Sequence, residues 1–237
     1  MPFFVIASDS LVDHDLVPKG QNASRYRYTS KGVQLDNITD WALTQFRTHY
    51  GPLVNDTLIS KDDIFAYVYA ALHDPVWRET YAADLRRSFP RIPFHADFTQ
   101  WRDWGQQLLA LHIDYESQPP HPDVMRVDAG GKKAAKPVLR SDADNGKVVV
   151  DSETQLTGIP RAAWDYRLGN RSAIDWVLDQ HKEKTPRDPT VAAKFNTYRF
   201  ADHKEKVIDL LGRVVGISIE TVAIVDAMRE LQIPKSE

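Results

Sequence analysis

Apolar positions change period twice along the chain, and the changes divide it into three regions. Residues 1–35 read as strand and loop. Phe3, Phe4, Val5, Ile6 and Ala7 form a short apolar run, and Arg25-Tyr26-Arg27-Tyr28 alternates as a half-exposed strand does. Gly20-Gln21-Asn22 between them is a turn signal. Residues 36–116 switch to helical spacing, beginning with Ile38, Trp41, Ala42 and Phe46 on one face. Ser60 and Asp63 make a capping box, with Asp replacing the usual Glu. The helix it opens is expected to bury Ile64, Phe65, Val68, Tyr69 and Leu72. His73-Asp74-Pro75 ends that helix and starts another: Asp74 caps it, Pro75 suits its first turn, and Trp77, Tyr81 and Leu85 follow every four residues. Pro90-Arg91-Ile92-Pro93-Phe94 forces an extended link. Asp97 then caps a longer helix carrying Phe98, Trp101, Leu108, Leu109 and His112. Successive helices of this kind make a compact bundle, with Trp41, Trp77, Tyr81 and Trp101 expected in its core.

Residues 117–237 are mixed. Gln118-Pro119-Pro120-His121-Pro122 is a stiff link and Gly130-Gly131-Lys132-Lys133 a mobile loop. Val138-Leu139 and Val148 to Val150 flank Asp144-Asn145-Gly146, a hairpin signal. Ser172 caps a helix through Ile174, Val177 and Leu178. From Lys182 to about Asp202 no apolar period is visible. Two helices are expected to finish the chain, one built on Val207, Leu210, Leu211, Val214 and Val215, the other starting at Ser218. The expected fold is α+β and predominantly α: a helical bundle subdomain packed with a small mixed β region, together one domain over residues 1–237.

Composition narrows the function. With 237 residues, 42% of them hydrophobic, the chain can bury a sizeable core. No apolar run approaches the roughly 18–20 residues of a membrane span, and the opening run is too short for a signal-peptide core. Cysteine is absent, which removes disulfides, thiolate metal sites and a cysteine nucleophile, and fits a reducing cytoplasm. Net charge is −3, against indiscriminate nucleic-acid binding. The charge is uneven. Residues 36–116 carry 7 basic and 12 acidic side chains, residues 119–213 carry 17 and 14, so a polyanion site belongs in the second half.

Catalytic signatures are missing. Gly130-Gly131-Lys132-Lys133 lacks the spacing and the Ser/Thr of a phosphate loop, and there is no dinucleotide glycine motif, nucleophile elbow or zinc HExxH. His112 and His121 read as a helix end and a loop. Asp62-Asp63 and Asp142 with Asp144 read as a helix start and a hairpin approach. Asp202-His203-Lys204 has the acidic-x-Lys composition of metal-dependent nucleases, but it opens a helix instead of extending a strand.

Several blocks carry more than helix physics asks for. They are Ser8-Asp9-Ser10-Leu11-Val12-Asp13, Asp36-Asn37-Ile38-Thr39-Asp40-Trp41-Ala42, the run from Ser60 through Pro75, Arg78 to Leu85, and Phe89-Pro90-Arg91-Ile92-Pro93-Phe94. Later come Leu109-Ala110-Leu111-His112, Ile159-Pro160 with Ala163-Trp164-Asp165-Tyr166, Gly169 to Trp176, and Val214 to Val222. In this order they resemble the C-terminal specificity domain of type ISP restriction–modification enzymes. The resemblance implies a reader of a short asymmetric duplex sequence, the last segment of a large polypeptide with nuclease, helicase-like ATPase and adenine methyltransferase domains. The parent would use S-adenosylmethionine, ATP and Mg; no cofactor or metal is expected in this chain. No Asn-Pro-Pro-Tyr methyltransferase motif occurs here, so the chain is expected to have no catalysis of its own. Double-stranded DNA and the methyltransferase and helicase-like domains are the expected partners, with no membrane and a cytoplasmic location.

The base-reading residues come from chemistry, not from the resemblance. Lys and Arg set register on phosphates; Arg, Asn and Gln read base edges. Three places offer them on loops: Arg167, Asn170 and Arg171 around Gly169; Lys182, Lys184, Arg187, Lys194, Asn196 and Arg199; and Arg140 with Asn145 on the hairpin. They are expected to form a concave, positive face. Two other readings stand beside this one. In the first, the chain docks separate methyltransferase or helicase subunits and binds DNA weakly alone. In the second, a metal-dependent nuclease is centred on Asp202 and Lys204.

Overall fold

The computed structural model describes residues 5, 7, 38–54, 57–130, 136–183 and 198–233. The expected strands around residues 3–7 and 25–28 lie outside the described residues except for Val5 and Ala7, and so does the loop from Gly131 to Lys133. The chain separates into two compact units, residues 5–113 with 228–237 and residues 114–227 with 1–4. The main boundary falls close to the change of period read near residue 116.

The first unit is helical. α1 (Asp40–Tyr50) is capped by Thr39, whose hydroxyl accepts from the Ala42 amide at 3.2 Å. Its expected apolar face is only half realised. Trp41 is 72% exposed, and the helix is anchored by Phe46, which packs edge-on against Tyr67 and Phe94. A short antiparallel hairpin of β1 (Leu53–Val54) and β2 (Thr57–Leu58) leads to α2 (Lys61–Ala71). Both halves of the Ser60–Asp63 capping box form.

α2 buries a different set from the one its larger residues suggest: Ile64, Ala66, Tyr67, Tyr69, Ala70 and Ala71, with Phe65, Val68 and Leu72 half-exposed. The reason is close approach by α4 (Phe98–Ile113). A Cβ on Gly105 would lie 1.8 Å from the Ala66 carbonyl oxygen, so small residues must face each other at this crossing. Asp74 caps α3 (Pro75–Thr80) through the Val76 and Trp77 amides. α3 ends sooner than its four-residue pattern suggests. Tyr81 is its C-cap and 47% exposed, and a 3₁₀ turn at Asp84–Arg86 replaces the continuing helix. The buried Tyr67 hydroxyl donates to the Pro93 carbonyl at 2.8 Å and accepts from the His95 amide at 2.7 Å, fixing the proline link before Asp97 caps α4.

The second unit is built on a four-stranded antiparallel sheet, β3 (Met125–Asp128), β4 (Pro137–Asp142), β5 (Lys147–Asp151) and β6 (Thr154–Thr157), in the order β3-β6-β5-β4. The expected hairpin joins β4 to β5, with Gly146 at φ 58. A second small hairpin, β7 (Arg167–Leu168) and β8 (Arg171–Ser172), runs into α5 (Ala173–Gln180), which Ser172 caps as expected. Val148, Val150, Leu156, Ile174, Leu178, Phe200, Leu211 and Val215 fill the core.

The expected pair of C-terminal helices is one helix, α6 (Lys204–Gln232). Ser218 is fully buried in its interior, where its hydroxyl donates to the Val214 carbonyl at 2.7 Å instead of capping a new start. Gly212 leaves room for the proline link, whose Pro120 Cβ would stand 3.0 Å from an added Cβ. Near the start of α6, Lys204 meets the buried carboxylate of Asp151 at 2.7 Å and ties the helix to the sheet. Burial pushes the Asp151 carboxyl up, but Lys204 and the amides of Glu153 and Thr154 outweigh it and hold the group below the ordinary carboxylate value.

Candidate nucleic-acid interface

Four of the basic and amide-bearing candidates, drawn from three separate stretches of sequence, meet on one open groove of about 350 Å³ in the second unit. Arg140 comes from β4, Asn170 and Arg171 from the β7–β8 turn and the start of β8, and Lys182 from just beyond α5. Leu139, Ser141, Asp175, Leu178 and Asp179 complete the lining.

Local sequence explains the arrangement. The β4–β5 register shifts between Pro137 and Arg140, and Leu139 sits at φ 47, a left-handed conformation that a leucine resists. The bulge turns Leu139 into the core, 3% exposed, and leaves Arg140 on the open side. Asp175, on α5, joins three elements: its carboxylate accepts from Ser141 on β4 and from the capping hydroxyl of Ser172 at the end of β8.

Charge on the groove is mixed. Arg140, Arg171 and Lys182 face Asp175 and Asp179. Asp179 binds Arg171 at 2.7 Å and Lys182 at 3.4 Å, and these cations hold its carboxyl below the usual range. Of the eleven residues expected on one concave face, Arg140, Asn170, Arg171 and Lys182 share a groove, and its charge is only narrowly positive. Arg140 is exposed and has no ion pair or side-chain hydrogen bond among the described residues.

Of the other candidates, Arg167, Asn145 and Arg199 are not part of the groove lining. Arg167 donates to the Asn170 carbonyl and braces the small hairpin. Asn145 is exposed, but its side-chain amide donates to both oxygens of Asp142 at 3.0 Å, closing the β4–β5 turn. Arg199 donates to the Tyr198 carbonyl, beside the buried Phe200. Lys184, Arg187, Lys194 and Asn196 lie outside the described residues.

Sequence reading missed the two groove carboxylates. Asp175, Leu178, Asp179 and Lys182 recur at i, i+3, i+4 and i+7, one helical face, and that spacing was the available signal. The acidic-x-Lys fragment is used structurally: Asp202 closes a 3₁₀ turn, and Lys204 is held by Asp151 and donates to the Thr154 hydroxyl at 2.6 Å. Among the described residues no group of three or more His, Asp or Glu is placed to hold a metal ion, and no helix is long and apolar enough to cross a membrane.

A family model described as the Type ISP C-terminal specificity domain matches residues 1–210. The chain belongs to that family. Among solved structures, the specificity domain is similar to part of DrdV in a cryo-EM complex with DNA, at 52% identity over 90% of this chain with a TM-score of 0.78. It is also similar to part of a nuclease-deletion mutant of the Type ISP restriction-modification enzyme LlaGI in complex with a DNA substrate mimic, at 26% identity over 77% and a TM-score of 0.58. The ATP-dependent Type ISP enzyme LlaBIII, bound to DNA, shares the fold at 24% identity over 81% and a TM-score of 0.61. The chain spans 21%, 17% and 12% of those three chains. No curated protein matches it.

Proposed function

We propose that this specificity domain reads a short sequence of double-stranded DNA through the groove between the β4 bulge, the β7–β8 turn and α5, and performs no chemistry itself. The observation that carries the reading is the meeting of Arg140, Asn170, Arg171 and Lys182 on one concave surface. Arg140 and Lys182 supply exposed charge for phosphates, and Asn170 and Arg171 offer the polar forks that distinguish adenine and guanine edges. Asp175 and Asp179 are engaged by hydroxyls and cations, an arrangement suited to holding side chains rather than a catalytic metal.

In a full-length enzyme this reading places the chain beside methyltransferase and ATPase segments that would bring S-adenosylmethionine, ATP and Mg, in the cytoplasm. The test is selection from a randomised duplex pool on the purified chain. Enrichment of one short asymmetric sequence is the expected result. Recovery of unselected sequence, with retention only when a methyltransferase-bearing partner is added, would instead mark the chain as a docking module.

A further inference from the structure

The first unit carries a second feature that fits a polyanion. Among the described residues, Arg86, Arg87, Arg91 and Arg140 are the arginines with neither an ion pair nor a side-chain hydrogen bond. Arg140 is on the groove; the other three fall within the six residues Arg86-Arg87-Ser88-Phe89-Pro90-Arg91, which contain no acid. All three are exposed, and Phe89 among them is 95% exposed.

The segment is held, not loose. Upstream, the Arg87 and Ser88 amides both donate to the Asp84 carbonyl at 2.9 Å. Downstream, Tyr67 grips the Pro93 carbonyl and the His95 amide, and Pro90 and Pro93 restrict the backbone between. Six residues span at most about 20 Å, so the three arginines leave the backbone within one short stretch of the surface. Phe89, almost wholly in water between these arginines, offers an apolar face that a partner can cover. Three uncompensated arginines around it make that partner anionic.

We propose that Arg86, Arg87 and Arg91 bind the phosphate backbone of duplex DNA without sequence preference, with Phe89 lying against an apolar deoxyribose or base surface. This rests on the DNA-reading function proposed above. Guanidinium groups pair phosphates bidentately, and such contacts add affinity without sequence preference. Phenylalanine is among the apolar residues that protein–DNA interfaces place against base steps. Outside this segment residues 36–116 carry 4 basic and 12 acidic side chains, a poor surface for DNA.

The experiment compares the wild-type chain, the triple variant R86A/R87A/R91A, F89A and R140A by fluorescence anisotropy, on a random-sequence duplex and on the duplex enriched by selection, at 50 to 200 mM KCl. The triple variant is expected to weaken binding to both duplexes by the same factor, roughly tenfold or more at low salt, and to lower the salt slope by about 2–3. F89A is expected to weaken both while leaving the slope unchanged. Unchanged affinity and slope in the triple variant and F89A, with R140A still impaired, would overturn the patch and leave the groove reading intact; an acidic protein surface would then be the patch's partner. A wild-type chain that binds neither duplex would overturn both.

Discussion

Asp179 Oδ2 stands 2.7 Å from Arg171 Nη1, and the same carboxylate reaches Lys182 at 3.4 Å. One acid thus holds two of the three groove cations in the absence of DNA. A phosphate approaching the groove competes with a carboxylate already in place, and only a ligand that replaces both contacts gains fully. Asp179→Asn is expected to raise affinity for all duplexes, steepen the salt dependence and lower the ratio of selected to random sequence. Anisotropy titrations on both duplexes check this.

The helical unit depends on the α2–α4 crossing. Gly105→Ala would drive a methyl into the Ala66 carbonyl, where backbone on both sides leaves no side chain to yield. A loss of about 3 kcal/mol or more is expected, the upper end of an overpacking defect. It would appear as lowered hydrogen-exchange protection in α2 and α4.

Acid should weaken the same unit. Burial lowers the His73 imidazole to about 4, helped by Arg78 and opposed by its bond to the Tyr69 carbonyl. Burial and the neighbouring His73 lower His112 to about 3. Both are neutral in the folded state at pH 7, whereas the unfolded chain takes up protons below about 6.5. Their stabilisation is complete above that value and is lost as pH falls from 6.5 towards 4, at up to about 1.4 kcal/mol per pH unit for each. Protection of the α2 and α4 amides measured at pH 7.5 and pH 5 is expected to fall, and His73→Leu to reduce the difference.

Lys204 gives a contrast between a structural and a catalytic role. Removing Lys204 leaves the buried Asp151 carboxylate held by the Glu153 and Thr154 amides alone, at a cost of up to about 3 kcal/mol. Lys204→Met is therefore expected to lower the urea midpoint of the second unit. DNA incubated with magnesium is expected to remain intact with the wild-type chain and with Asp202→Ala alike.

Features set within three or four residues were legible in the sequence. Ser60, Asp74, Asp97 and Ser172 cap their helices because a short polar side chain reaches amides two or three residues on. Gly146 closes the hairpin because the turn needs a positive φ. Features set by partners distant in sequence were not. Trp41 has the apolar size for a core, yet no element among the described residues covers it. Ser218 has the type of a cap, yet it is fully buried and its hydroxyl bonds back to Val214. Chemistry picked out Arg140, Asn170, Arg171 and Lys182 separately. Their meeting on one groove depends on the Leu139 bulge and the Asp175 junction, which join elements about 30 residues apart and leave no local mark.

The central claim is that the groove tells base pairs apart. The direct measurement is the binding profile of Asn170→Ala and Arg171→Ala against all single-base variants of the selected duplex, with Lys182→Ala as the phosphate control. Each of the first two is expected to erase discrimination at one position, worth about 1–3 kcal/mol, while Lys182→Ala weakens every sequence alike and lowers the salt slope by about 1. Profiles that keep the wild-type preference at every position in both Asn170→Ala and Arg171→Ala would contradict it.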